Sequence, residues 1–175
     1  MHLAGAQEGL RAGLLNVLDS GELLGERVIR YPELLDSLPA VSVDVESLNR
    51  SFTARLQSLR RTERMNQVRR FKLMTEFKIL VEWLSGGALG EIQEKLSLLA
   101  DCCVEHAAHW GTIAVPIAGQ HDDAPWAIVA LGKLGGRELA VHSDLDLVVV
   151  YDGDPTDSAT FVRFQSFVEA LQGFI

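Results

Sequence analysis

The hydrophobic pattern of this sequence changes once along the chain, and that change limits the possible fold more than any other feature. From residue 6 to about residue 113, apolar side chains recur at intervals of three and four, as they do on amphipathic helices. After residue 125 the apolar residues form two short runs of strand length, WAIVALG at 126–132 and LDLVVVY at 145–151. The pattern therefore predicts an α+β protein in which helices come first and a sheet containing these two adjacent strands follows.

Local signals divide the helical part. Gly86 and Gly87 are predicted to end the helix that contains RRFKLMTEFKILVEWL, and a second periodic stretch runs on to Trp110. The segment YPELLDSLP reads as a short helix bounded by prolines, and Asp44 is a predicted N-cap.

A second division separates the helices from the sheet. Two prolines and a polar tip between residues 115 and 125 indicate a linker or loop, which gives a helical segment at 1–115 and a second unit at 116–175. Ser158 is predicted to cap a last helix, ATFVRFQSFVEALQGFI. Because both faces of the strands are apolar apart from two aspartates, helices should cover the sheet on at least one side.

Charge and composition exclude several classes of function. The formal net charge of −8 and the pI of about 5.1 argue against bulk nucleic-acid binding, which requires a basic surface. The beginning of the chain lacks the pattern of a signal peptide, and no window is apolar enough for a membrane span. Cys102 and Cys103 are adjacent, a poor geometry for a disulfide, and fit a reducing compartment as small core residues. We expect a cytoplasmic protein with neither membrane nor nucleic acid as a partner.

Positive charge is concentrated in the middle of the chain, in the Arg-rich stretch from Arg55 to Arg70. Such a stretch is most often a solvated helix face, and a docking surface for an acidic partner is the alternative. His106 and His109 have the i, i+3 spacing that can hold a metal, but no third ligand is evident, so we interpret them as helix-surface residues.

Two aspartates stand at the start of the second strand run, where carboxylates are not expected. Asp144 and Asp146 are two residues apart, so in a strand both side chains project from one face with Cα atoms about 6.5 Å apart. An unpaired charge in an apolar strand is costly, and a bound cation would relieve that cost. Two carboxylates of this kind suit Mg²⁺, which also takes oxygen ligands from phosphate and water. The alternative is an exposed edge strand that carries two solvated acids.

The segment before the aspartates could hold phosphate. Gly135 and Gly136 would let a phosphate approach backbone N–H groups, especially if GRELAV opens a helical turn, although a plain turn would also use glycines. Ser143 adds a hydroxyl beside the first carboxylate. Lys133 is either a phosphate contact or a solvated charge, and its position does not match a Walker A loop. Metal and phosphate contacts within so short a segment indicate a nucleoside triphosphate site.

Three neighbouring polar residues are open to a simpler interpretation. His142 could perturb the carboxylates or donate to phosphate, or it could have no role in a site. Arg137 and Glu138 are expected to be structural or surface residues.

The whole stretch ALGKLGGRELAVHSDLDLVVVY resembles the signature of the bifunctional glutamine synthetase adenylyltransferase and adenylyl-removing family, within the DNA-polymerase-β-like nucleotidyltransferase superfamily. The superfamily motif is a glycine pair, a spacer and Asp-hydrophobic-Asp on a strand, and Gly135, Gly136, Asp144 and Asp146 match it. YPELLDSL and the helical pair that follows resemble the preceding part of the family more weakly.

The resemblance implies a helical N-terminal segment followed by a truncated polymerase-β-like nucleotidyltransferase core, of which 116–175 would be the N-terminal part. It implies ATP as substrate, Mg²⁺ or Mn²⁺ held by Asp144 and Asp146, and transfer of AMP to a tyrosine of glutamine synthetase or its phosphorolytic removal. Glutamine synthetase and a PII-type nitrogen-signalling protein would be the partners. A third superfamily carboxylate, on a later strand, is not reached before Ile175, so a fragment is expected. A non-catalytic regulatory or protein-binding module derived from that fold is the alternative function.

Overall fold

The structure is a computed structural model of the chain, and it describes residues 22–38, 42–114, 125–152, 154 and 156–173, with a few isolated positions before residue 22. The linker predicted at 115–125 lies almost wholly outside the described residues.

Helices dominate the described part of the chain, and the only sheet in it has two strands. In chain order the elements are helix α1 (Glu22–Arg30), a 3₁₀ helix (Pro32–Ser37), α2 (Val45–Leu56), α3 (Arg61–Leu84), α4 (Leu89–Ala114), strand β1 (Trp126–Ala130), the single turn α5 (Gly132–Gly135), strand β2 (Leu147–Tyr151) and α6 (Ser158–Gln172).

Most of the sequence signals for helix ends are confirmed. Asp44 is the N-cap of α2, and its carboxylate accepts a hydrogen bond from the Ser47 N–H at 2.9 Å. Gly86 lies directly after Ser85, the C-cap of α3, with φ of +101°, a conformation that favours glycine. The cap of α6 was predicted one residue too late. Asp157 is the cap, with its carboxylate accepting from the Ala159 N–H, because an extended aspartate caps at least as well as serine.

Helix α3 lies between two hydrophobic cores. On one side Phe77, Leu80 and Val81 pack with Leu34 of the 3₁₀ helix and with α1. On the other side buried residues of α3 pack with α2, α4, α6 and one face of the sheet. A helix that is apolar on two sides must be enclosed on both, so α3 organises the whole helical part.

The two strands pair antiparallel, with Ile128 opposite Val149 in the centre of the register. They are shorter than the predicted runs but adjacent, as expected. One face packs on the core, where Trp126 contacts Phe167 and Tyr151 stacks on Phe164 of α6. Helical cover is therefore confirmed for that face, and the outward residues of the other face are exposed.

The predictions for the two cysteines and for His106 of α4 have different outcomes. Cys102 and Cys103 are buried in the core, as expected, and burial raises the pKa of the Cys103 thiol to about 12. His106, predicted on the helix surface, is instead buried, with Nε2 at 2.9 Å from Asn49 Oδ1. The interpretation was wrong because helix α2 packs across this turn of α4.

Among the helices that the structure describes, none combines the length and the apolar character that crossing a membrane would require.

Candidate nucleotide and metal site

Asp144 and Asp146 lie in an extended segment immediately before β2, not inside the strand. Exposure alternates along this segment: both aspartates are exposed, whereas Leu145 and Leu147 between and after them are half-buried against the core. The shared face of the two carboxylates is therefore confirmed. The premise that they are driven into a buried strand is wrong, because the two-stranded sheet is covered on one face only and the aspartates lie on the other.

The carboxylate of Asp146 rests against the start of turn α5. The Leu131 N–H donates to the backbone carbonyl of Asp146 at 2.8 Å, which extends the pairing of the strands by one step. Gly132 follows with φ of +54°, and a Cβ on it would lie 2.3 Å from Asp146 Oδ2. Only glycine leaves room for the carboxylate here, so the sequence places Asp146 directly over the glycine turn.

The glycine pair lies at the end of this turn, not at its beginning. GRELAV forms no helix, because the helical turn is GKLG. The N–H groups of Gly135 and Gly136 donate within the turn, to Leu131 and Gly132 carbonyls at 3.0 Å each. A Cβ on Gly135 would lie 2.6 Å from the Ala130 carbonyl oxygen, whereas Gly136 meets nothing closer than 3.5 Å. Gly135 is therefore needed for packing against β1, and Gly136 is on the open side.

Ser143 and Lys133 have different surroundings. The Ser143 hydroxyl accepts a hydrogen bond from the Ala140 N–H at 3.1 Å, and the Ser143 N–H donates back to the Ala140 carbonyl. Ser143 thus fixes a turn in which His142 takes a φ of +59°. Lys133 is exposed on the turn α5 beside the glycines.

Arg137 joins the glycine segment to helix α4, in agreement with the structural role predicted for it. Its guanidinium donates to the carboxylates of Glu94 and Asp101, with Nε 3.0 Å from Glu94 Oε2. These hydrogen bonds, with Glu94 foremost, raise the pKa of Arg137 and lower that of Glu94. Arg137 also has a φ of +59°, so the ion pairs hold a backbone conformation that few side chains adopt.

The aspartate pair fits a divalent cation in part. Mg²⁺ is commonly held by one or two carboxylates, with phosphate and water completing its shell. Asp144 and Asp146 offer two carboxylates on one exposed face, which is a suitable donor set of that kind. Within the described residues no group of three or more His, Cys, Asp or Glu side chains is arranged around a common ion position.

The structure also brings in a residue that the sequence did not single out. A cleft of about 450 Å³ opens beside Asp144 and Ser143, and Lys72 of α3 lies at its wall. No local pattern marks Lys72, which is more than 70 residues from Asp144 and reaches it only through the packing of α3. Gly132 was also missed, although a glycine at the end of the first strand run and before Lys133 could have indicated a positive φ.

Comparison with known proteins places this sequence in a family. The family model described as glutamate-ammonia ligase adenylyltransferase matches residues 12–171. The bifunctional glutamine synthetase adenylyltransferase/adenylyl-removing enzyme of Burkholderia mallei is 34% identical over 170 residues, covering 90% of this chain. The proteins of the same name from Xanthobacter autotrophicus and Shewanella oneidensis are 34% and 29% identical, covering 90% and 82% of this chain.

These relatives are much longer than the chain, which spans only 17–18% of their length. The family model, in contrast, covers nearly all of the chain, including the aspartates and the glycine turn. The chain belongs to the glutamate-ammonia ligase adenylyltransferase family.

Proposed function

We propose that this chain supplies the metal-binding and phosphate-binding segment of a nucleotidyltransferase core that acts with ATP. In this proposal the enzyme transfers AMP to a tyrosine of glutamine synthetase or removes it by phosphorolysis. Glutamine synthetase is its protein substrate, and a PII-type signalling protein is a further partner. Family membership and the enzyme names of the relatives support the reaction class.

One observation carries the proposal: Asp144 and Asp146 share an exposed face, and Asp146 lies over the glycine turn that begins at Gly132. Carboxylates on the exposed face can bind a solvated cation without first being desolvated. A phosphate that approaches the open side of the turn at Gly136 would meet that cation beside Asp146.

Five of the six predicted site residues have a part in this proposal, whereas Gly135 serves packing against β1. Asp144 and Asp146 hold Mg²⁺ or Mn²⁺, which when bound neutralises phosphate charge and polarises the phosphorus–oxygen bonds. Lys133, exposed on turn α5, is placed to add a positive charge for the phosphates. Gly136 leaves the phosphates room to approach the backbone, and Ser143 keeps the segment before Asp144 in its turn conformation.

Calorimetric titration of the 175-residue chain with ATP, with and without Mg²⁺, tests this proposal. ATP should bind only with the metal, and Asp144→Asn and Asp146→Asn should each abolish binding because they remove a ligand charge. Asp152→Asn is the matched control, since Asp152 is an exposed aspartate beyond the other end of β2. Equal ATP binding by the parent and the Asp146→Asn variant would contradict the proposal.

Gly136→Val tests the phosphate approach separately. A side chain at Gly136 makes only ordinary contacts, so the variant should fold, whereas a Cβ at Gly135 would collide with backbone. We expect Gly136→Val to weaken binding of ATP by at least about tenfold while the helical circular dichroism stays unchanged. Unchanged ATP binding by this variant would contradict the proposed phosphate contact at this turn.

The second candidate is a non-catalytic protein-binding module. It is favoured by the outward face of the sheet, where Val129, Val148 and Val150 are 42%, 43% and 51% exposed. Contiguous exposed apolar side chains are typical of surfaces that another polypeptide covers. Loss of ATP binding in the aspartate variants would favour the enzyme, and binding of glutamine synthetase without any nucleotide dependence would favour the module.

A further inference from the structure

A second cleft lies behind the aspartate segment and shares Lys72, Ser143 and Leu145 with the cleft beside Asp144. It has a volume of about 300 Å³ and opens between α3, α4 and the loop 139–145, with Arg27 of α1 at its edge. Its size is at the lower end of the range for small-ligand sites.

The cleft has an apolar floor and a cationic rim. Leu96, Leu99, Cys103 and Leu139, all buried, form the floor. The rim carries the charged residues Arg27, Arg69, Lys72 and Glu76. Three cations and one carboxylate in a chain of net charge −8 make this a local positive site in an otherwise acidic protein.

The charged residues of the rim are not equally free to bind a ligand. Arg27 forms a salt bridge with Glu76, with Nη1 2.9 Å from Oε2, and both side chains are mostly buried. Arg27 Nη2 also lies 3.1–3.2 Å from the ring nitrogens of His142, which closes that edge of the cleft. Arg69 donates to the Gly173 carbonyl at 2.7 Å and is exposed.

Lys72 is the cation left to receive a ligand. It is half-buried, and within the described residues no hydrogen bond or ion pair is recorded for its ammonium group. Its charge acts on the cleft floor, because it opposes the rise in the pKa of Cys103 that burial causes. A half-buried ammonium without a carboxylate partner has lost part of its hydration, and an approaching anion would compensate that loss.

A polar donor lines the same cleft as this ammonium. Ser143 lines the same cleft, and its oxygen already accepts from the Ala140 N–H, so the hydroxyl hydrogen remains able to donate. Lys72 and Ser143 together can bind the two oxygens of one carboxylate, while the leucines of the floor enclose an apolar body.

We propose that this cleft is a binding site for a small organic carboxylate, whose head group pairs with Lys72 and Ser143 and whose short aliphatic part lies on the leucine floor. The proposal does not rest on the proposed nucleotide function, since it requires neither metal nor ATP, but its head-group residues Lys72 and Ser143 also line the cleft beside Asp144. The molecule recognised would have one anionic group and about four to six carbons, as the cavity size allows.

Titration of the ¹⁵N-labelled chain with acetate, butyrate and hexanoate, followed by amide chemical shifts, tests the proposal without nucleotide. Saturable shifts should occur at residues 139–145 and 96–103, and hexanoate should bind at least about tenfold tighter than acetate because it buries more apolar surface. 1-Hexanol, which has the same body without the charge, should bind at least about tenfold more weakly than hexanoate. Absence of saturable shifts for hexanoate, or equal binding of hexanol, would overturn the proposal.

Variants test the contributions of Lys72 and of the apolar floor to binding separately. Lys72→Met keeps the aliphatic stem and should weaken hexanoate at least about tenfold, whereas Lys78→Met, on the same helix but outside this cleft, should leave it unchanged. Ala100→Leu, which fills the floor, should abolish binding. Inorganic phosphate is the competing anion: if it binds as tightly as hexanoate, the preference for a carboxylate with an apolar body is wrong.

Discussion

Two regions of the molecule differ in how far their polar and apolar side chains are buried and paired. They are the helical body, residues 22–114, and the strand segment, residues 125–151. In the helical body most buried polar side chains have partners, and Trp110 Nε1 is the exception among the described residues. Glu82 accepts from the Val43 N–H at 3.0 Å and from the Lys95 ammonium, and it joins the start of α2 to α3 and α4. His106 pairs with Asn49 in the same manner across α2 and α4.

In the strand segment the exposed face carries groups that have no such partners. Val148 and Val150 project outward from β2 beside Asp146, and for both Asp144 and Asp146 no ion pair is recorded among the described residues. Backbone bonds and the inward face hold the segment in place. Stability is therefore concentrated in the helical body, while the chemical groups of the predicted site are left accessible.

Substitution of a large apolar residue should give the largest contrast between the two regions. Phe77 in α3 is fully buried, and Phe77→Ala should lower the free energy of unfolding by about 3–5 kcal/mol because it leaves a cavity. Val148→Ala, on the outward face, should change it by less than about 0.5 kcal/mol. Urea unfolding measures both values. Similar losses for the two variants would mean that the outward face is covered in solution.

Alanine at Gly132 should have the next largest effect. Its positive φ costs a non-glycine residue about 1–2 kcal/mol, and the added Cβ would displace the Asp146 carboxylate. Gly25→Ala is the matched control, because Gly25 lies within helix α1 with open space around it and should gain about 0.5–1 kcal/mol. Thermal denaturation of both variants checks these opposite signs, and a neutral Gly132→Ala would contradict the close approach of Asp146.

A smaller contrast comes from the backbone at Arg137. Arg137→Ala and Arg137→Gly both remove the contacts to Glu94 and Asp101, but only glycine accommodates φ of +59° without strain. The glycine variant should be more stable than the alanine variant by about 1 kcal/mol. At Arg163, inside helix α6, the order should reverse by a similar amount. The same order at both positions would show that Arg137 is not held in this conformation.

The smallest effect is a pH dependence confined to the helical body. Burial, helped by the charge of His109, lowers the pKa of His106 below its usual value of 6.5. The unfolded chain then binds a proton that the folded chain does not, so stability is complete above pH about 6.5 and falls as the pH drops toward the lowered pKa. Melting temperatures of the parent should decrease over this range more than those of His106→Gln. Identical pH profiles would contradict the buried neutral imidazole.

The sequence predicted the order of helices and strands because periodicity and caps are local. Alternation alone placed Asp144 and Asp146 on one face, and Asp44 and Gly86 marked helix ends correctly. The features that the sequence did not predict depend on tertiary packing. The exposure of the aspartates depends on which sheet face α6 covers, and the burial of His106 depends on where α2 crosses α4. Neither crossing has a signal in the residues concerned.

The position of the turn in the glycine segment could not be predicted from the sequence either. The sequence indicated a turn, but three glycines at 132, 135 and 136 allow several placements of it. The close approach of Gly135 to β1 and of Gly132 to Asp146 decides which residues form the turn. The contact of Gly132 joins residues 14 positions apart and that of Gly135 depends on how the chain turns after β1, so a pattern along the chain does not contain them.

The central claim is that the exposed pair Asp144 and Asp146 is a metal site. Thermal melts of the parent and of the double variant Asp144→Asn/Asp146→Asn, with and without millimolar Mg²⁺ or Mn²⁺ and then with ATP present, test it most directly. Without metal the double variant should be at least as stable as the parent, because two like charges are removed from one face. Metal should raise the melting temperature of the parent only, since a ligand that binds the folded state stabilises it. No metal-dependent shift in the parent, or the same shift in the double variant, would contradict the claim.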